Sequence, residues 1–134
     1  MKTILVTGSS SGIGKSTAIK FVKAGWNVVS WGRRFKKMEA WKNNLPLTDQ
    51  KRIFIQCVDV MSASQVTEAI QLIPENFKVI DLLVNNAGLA LGKSPIHEGL
   101  IKDWEQMIDT NLKGLLYVTK VISPEMVNRK SGQI

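Results

Sequence analysis

Thr7-Gly8-Ser9-Ser10-Ser11-Gly12-Ile13-Gly14 is the stretch on which the reading of this chain turns. The apolar run Ile4-Leu5-Val6 precedes it, and a helix-compatible run from Lys15 to Ala24 follows. A glycine motif is informative when it joins a strand to a helix in this way. Glycine can adopt positive φ and lets backbone come close to a ligand. The unpaired N–H groups at the start of the next helix, together with its dipole, then favour phosphate. The stretch reads as a seat for the diphosphate of a dinucleotide, with Gly8, Ser10, Ser11, Gly12, Ile13 and Gly14 as its contact residues.

Two other readings compete for the same residues. Gly14-Lys15-Ser16 has the look of the end of a phosphate-binding P-loop, but that motif places four residues between its first glycine and the Gly-Lys pair. Counting back from Gly14 reaches Ser9, and Gly8 is one residue too early. No clear carboxylate for a Mg²⁺ site supports a nucleotide hydrolase either. A glycine-rich turn that binds nothing is the plainer alternative.

Moving outward, strand and helix alternate with short connections. Lys2 to Val6, Asn27 to Trp31, Arg52 to Val58 and Val79 to Val84 read as strands. Helices are expected over Ile13 to Ala24, with Ile13, Thr17 and Phe21 and with Ala18 and Val22 at helical spacing, and over Arg34 to Asn44, with Phe35, Met38 and Trp41 or Leu45 inward. Gly25 suits the end of the first of these, and Pro46 ends the second. Ser62 is a good N-cap for a helix to about Ile73, with Val66, Ala69, Ile70 and Ile73 as its core face. Asn85 to Glu98 reads as a loop. Helical patterns resume over about Ile101 to Thr110 and from Leu112 to about Asn128, where Pro124 is expected to kink the chain. Gln133-Ile134 looks like the first step of a fifth strand. The alternation predicts an α/β fold: a doubly wound parallel sheet of order 3-2-1-4, completed by strands beyond residue 134.

Composition bounds the function. The chain has 134 residues, 44% hydrophobic and 22% charged, which suits one globular domain with a real core. No apolar run approaches the roughly 20 residues of a membrane span, and the start of the chain reads as a strand rather than a signal peptide. The net charge of +7 invites a nucleic-acid reading. The basic residues are scattered, however, apart from Arg33-Arg34 with Lys36-Lys37, and neither zinc-ligand spacing nor an RNA-binding aromatic signature is present. No nucleic-acid partner is expected. Cys57 is the only cysteine, so a reducing cytoplasm is the natural setting, and the residue itself reads as a buried small hydrophobe. His97, the only histidine, has no second ligand in sight and no metal is expected. The four tryptophans read as packing residues.

Thr-Gly-x3-Gly-x-Gly, followed by Asp59-Val60, Asn85-Asn86-Ala87-Gly88 and Asn111 in this order and at about this spacing, resembles the short-chain dehydrogenases/reductases over essentially the whole chain. That resemblance implies a Rossmann-type, nicotinamide-dinucleotide-binding domain over residues 1–134. It implies that Asp59 and Val60 contact the adenine, that Asn85 lies beside the cofactor ribose with Ala87 and Gly88 giving close approach, and that Asn111, at the start of a long helix, belongs to a proton relay. At the end of the second strand an acid selects NAD, whereas its loss with a nearby arginine favours the 2′-phosphate of NADP. Gly32 stands at the acid's position and Arg33-Arg34 follow, so NADP (NADPH) is the expected cofactor.

The stretches Asn85 to Gly92, Asp103-Trp104 and Met107 to Asn111 are similar to the NADP-dependent 3-hydroxy acid (serine-type) branch. The complete enzyme would then interconvert a secondary alcohol and its carbonyl, with a small hydroxy acid as substrate. The Ser, Tyr and Lys that carry proton transfer in the family have no counterpart here. Tyr117 and Lys120 are spaced as Tyr-x2-Lys, not Tyr-x3-Lys, and stand ahead of the fifth strand. The expectation is therefore the N-terminal part of such an enzyme, or else a truncated NADP-binding pseudoenzyme. The last helix is apolar on two faces, so one is expected to meet the sheet and the other a second copy, giving a homo-oligomer.

Overall fold

β1 (Thr3–Thr7) and β2 (Asn27–Gly32) are buried at every position, as strands covered by helices on both sides must be. They belong to a computed structural model that describes residues 1–134. With β3 (Ile53–Cys57) and β4 (Leu82–Val84) they form one parallel sheet of order β3-β2-β1-β4, the predicted topology. The period-2 alternation of a strand sorts side chains between two cores. Ile4, Val6 and Val28 pack with Ala18 and Val22 of α1 (Gly12–Lys23) and with Met38 and Trp41 of α2 (Phe35–Asn43). Leu5, Val29 and Trp31 face the other way. They meet Val66 and Ala69 of α4 (Ala63–Gln71) and Val118, Ile122 and Met126 of α6 (Leu115–Asn128).

Local chemistry explains the boundaries. Gly25, at φ +88°, follows the end of α1, and Ser62 caps α4 by accepting the N–H of Gln65 at 3.3 Å. A short helix, α3 (Leu47–Gln50), which sequence reading did not anticipate, follows Pro46. β4 is shorter than the predicted Val79 to Val84, because the chain first anchors itself through Asp81: its carboxylate accepts the N–H of Thr3 at 2.8 Å and ion-pairs with Arg129 at 3.3 Å. Beside β4, Gln133 forms a parallel bridge to Leu82, its carbonyl accepting the N–H of Leu83 at 2.9 Å. That is the expected first step of another strand.

Three expectations are corrected. Ile13 and Phe35 are exposed rather than in the core, because each opens its helix at the sheet's C-terminal rim, beyond the packed layer. Cys57 is exposed rather than buried: it ends the edge strand, and its thiol points to the Arg33 carbonyl at 3.4 Å. The two C-terminal helical patterns are a single helical run. α5 (Ile101–Ile108) passes into a π-helical segment, Asp109–Gly114, and then directly into α6. The run continues past Pro124 to Asn128. The side of α6 away from the core leaves Leu112, Leu115 and Leu116 exposed. No helix is long and apolar enough to cross a membrane.

Candidate functional site

The C-terminal ends of all four strands open into one cleft of about 450 Å³. In an open α/β sheet this rim, at the point where chain connections leave β1 in opposite directions, is where ligands bind. Four segments build it, one after each strand.

After β1, Gly8, Ser10, Ser11, Gly12 and Ile13 line the cleft. Gly8 sits at φ +67°, and a Cβ there would lie 2.8 Å from Cα of Ala87. It is the close approach of two turns, as much as the dihedral, that demands glycine. Gly14 does not line the cleft. A Cβ on it would lie 2.4 Å from Nδ2 of Asn86 and 2.5 Å from the Gly8 carbonyl oxygen, so Gly14 lets the helix pack down on its own turn. The first-turn amides of α1 have no intrahelical acceptor. The N-cap residue Ser11 makes no side-chain cap, and no acidic residue occupies the first turn. The amides are therefore left to an anion.

After β2 come Gly32, Arg33 and Arg34. Arg34 is fixed across the cleft mouth: Nε and Nη2 donate to Oγ of Ser10 at 3.1 and 2.9 Å, and Nη2 donates to Oγ of Ser11 at 2.6 Å. After β3, Val58, Asp59 and Val60 form the third wall. The Asp59 carboxylate accepts the N–H of Met61 at 3.0 Å, which holds the turn and orients the side chain. Val60 is pressed against Gly114, where a Cβ would lie 2.7 Å from its Cγ2.

After β4, Asn86, Ala87 and Gly88 complete the site, joined by Thr110 from the π-helical segment. Asn85 faces elsewhere. Its Nδ2 donates to Oγ1 of Thr119 on α6 at 3.0 Å, and its Oδ1 is buried without a partner. In extended chain, neighbours point to opposite sides, so it is Asn86 that reaches the glycine turn, donating to the carbonyls of Thr7 and Gly8 at 3.0 and 3.2 Å. Thr7 returns the contact: its Oγ1 accepts the N–H groups of Asn86 and Ala87 at 3.0 and 2.9 Å. The two turns are thus one unit. Asn86, Gly32, Val58 and Thr110 were not singled out as site residues by sequence reasoning. For Asn86 the signal was available, since strand alternation from Val84 predicts which amide faces the turn.

Asn111 does not begin a helix, as expected, but sits inside the π-helical segment. Its Oδ1 accepts the N–H of Leu89 at 2.9 Å and its Nδ2 donates to the Leu89 carbonyl at 2.8 Å. It clamps the loop after β4 at the edge of the cleft, beside Gly88. π turns are rare and concentrate at functional sites. Tyr117 packs against the core from α6. His97 is an exposed surface residue, and no cluster of candidate metal ligands exists.

Comparison with known proteins agrees with this geometry. Residues 2–134 match the sequence profile of the family described as short chain dehydrogenase. The chain is 41% identical over 131 residues to the NADP-dependent 3-hydroxy acid dehydrogenase YdfG of Salmonella typhi, covering 98% of this chain and 51% of that protein. It is 43% identical over 128 residues to serine 3-dehydrogenase of Rhizobium radiobacter, covering 96% and 50%. The chain therefore spans about half the length of the curated relatives it matches. Among solved structures, the closed form of serine dehydrogenase complexed with NADP⁺ superimposes with a TM-score of 0.91 at 39% identity, over 97% of this chain and 51% of that one. ElxO with NADP bound gives a TM-score of 0.88 at 32% identity, over 98% and 52%. Sequence and backbone agree on one conclusion, that this chain belongs to the short chain dehydrogenase family.

Proposed function

We propose that the cleft binds NADP(H), and that the chain serves an oxidoreductase interconverting a secondary alcohol and a carbonyl, with a small 3-hydroxy acid as the substrate class. The observation that carries the cofactor reading is Arg34, held by two serine hydroxyls at the end of β2, while Gly32 leaves no acid to take up ribose hydroxyls. The fit extends around the rim. The first-turn amides of α1 suit a pyrophosphate. The close approach of Gly8 to Ala87 gives a flat floor with no side chain in the way. Asp59 and Val60 stand where an adenine edge would be met.

The dinucleotide, when bound, supplies or accepts the hydride. The chain's own residues grip, orient and exclude. Arg33 and Arg34 set the choice between NADPH and NADH. Asn86 and Thr7 fix the turn that holds the pyrophosphate. Asn111 holds the loop that would bound the nicotinamide end. Proton transfer is not assigned to Tyr117, whose ring lies in the core on the far side from the cleft walls. The same reading includes a cytoplasmic setting and association of copies through the exposed Leu112, Leu115 and Leu116.

The test is titration with NADPH, NADH and ATP by calorimetry. NADPH binds tightest. Replacing both Arg33 and Arg34 by Ala lowers NADPH affinity on the order of 10²-fold, the worth of two hydrogen-bonded charge contacts, and leaves NADH affinity unchanged. A double variant that still prefers NADPH overturns the assignment, and tightest binding of ATP overturns the reading as a whole.

A further inference from the structure

The contacts around Arg34 divide its donors unequally. A guanidinium carries five N–H groups. The Nε–H and the Nη2 hydrogens go to Ser10 and Ser11, and Nη1 has no partner within the chain. The serines, in turn, only accept from Arg34, so each keeps its own O–H proton without a protein acceptor. Ser10 is 7% exposed, so its hydroxyl is a fixed point and not a surface rotor. A free arginine side chain carries about 2 kcal/mol of rotamer entropy, and these bonds remove much of it before any ligand arrives.

Two surrounding features fit an anion at this point. α2 begins directly after Arg34, has no acid in its first turn, and carries Lys36 and Lys37 there. Cations at a helix N-terminus oppose the dipole, and a bound anion relieves that. Gly32 also keeps the space clear: a Cβ there would lie 3.2 Å from Sδ of Met38 and 3.6 Å from Cβ of Ser10. A side chain at position 32 would compete for the volume in which Ser10 and Arg34 meet.

We infer that Ser10, with Ser11, is a positioning residue for Arg34, and that the two hydroxyls and the free Nη1 edge form one donor set for a terminal phosphate monoester. The inference rests on the NADP reading and names the residues that set its specificity. A monoester dianion offers three oxygens and more charge than a diester, so it can meet both Nη1 hydrogens and both hydroxyl protons together. Hydroxyls that already accept from a guanidinium are polarised toward donating, which strengthens the set.

The probes are adenosine 2′,5′-bisphosphate and ADP, which differ by the monoester alone, titrated into the wild-type chain and into Ser10→Ala, Ser10→Thr, Ser11→Ala and Arg34→Ala. Ser10→Ala weakens the bisphosphate about tenfold, equivalent to about 1.4 kcal/mol, and leaves ADP unmoved. Ser11→Ala does the same to a smaller degree, and Ser10→Thr, which keeps the hydroxyl, behaves as wild type. If Ser10→Ala binds both probes as wild type does while Arg34→Ala loses the bisphosphate, the positioning role is overturned and the phosphate site stands. If Ser10→Ala weakens ADP equally, or if Ser10→Thr behaves like Ser10→Ala, the role is merely structural and the inference fails. If Arg34→Ala also keeps full preference for the bisphosphate, the error lies in the phosphate site itself.

Discussion

Replacing Gly14 by Ala probes the packing that unites the two turns of the cleft. The added Cβ would sit 2.4 Å from Nδ2 of Asn86 and 2.5 Å from the Gly8 carbonyl oxygen. The second of these is backbone, so the turn cannot simply step aside. Asn86 must leave the Thr7 and Gly8 carbonyls, forfeiting two hydrogen bonds at about 1 kcal/mol each. Crowding the turn costs about 1–3 kcal/mol more. Alanine is the better helix former by up to about 1 kcal/mol, which works in the opposite direction. The net expectation is a loss of about 2–4 kcal/mol, or a fall in Tm of roughly 10 °C for a chain of this size. Gly12→Ala is the control. It meets open space, and its only obstacle is a φ of +57°, for a cost of about 1 kcal/mol. Thermal and urea unfolding followed by circular dichroism measures both. A Gly14→Ala chain as stable as wild type, or no less stable than Gly12→Ala, would refute the packing argument, since helix propensity alone favours the alanine.

Two further outcomes follow from the same architecture. Thr7→Val keeps the shape of a side chain that is 1% exposed but strips the acceptor from the amides of Asn86 and Ala87. It should lower stability by about 2–4 kcal/mol in urea titrations, with Thr7→Ser retaining most of it. Lys113 has its pKa raised, first by its hydrogen bond to Asp109 and then by the charge of that carboxylate. The pair's contribution is complete below the ordinary lysine range and fades as pH climbs through the raised value. Asp109→Asn should return Lys113 to ordinary titration when followed by NMR at its Nζ, with little change in stability because the pair is exposed.

Much of this was readable from residues alone, for identifiable reasons. β1 and β2 announce themselves because strands buried on both faces are continuously apolar. The cleft position follows from where the strands end, and Arg34 from the absence of an acid at Gly32. What failed depended on direction or on count. Asn85 and Asn86 are chemically identical, and only the phase of β4, whose true limits were shorter than predicted, tells which one reaches the glycine turn. Cys57 looks like a core residue until the strand order makes β3 an edge. Ile13 keeps helical spacing with Thr17 and Phe21, yet the helix opens at the rim, where spacing no longer implies burial. Asn111 resembled a cap because the apolar pattern breaks there, and a π turn breaks it just as a boundary would.

That π turn, Asp109–Gly114, governs the angular setting of everything after it. A regular α-helix advances about 100° per residue, and a π turn accommodates an additional residue without propagating the offset as a bend. Deleting one residue between 109 and 114 would let the segment revert to ordinary winding, and would swing the row Val118, Ile122 and Met126 by about 100° away from the sheet. Gly114 would also withdraw from Val60, and a wall of the cleft would lose its backing. In this stretch an alignment gap is thus a rotation, and any redesign that tidies the helix would unseat both the hydrophobic layer and the ligand rim.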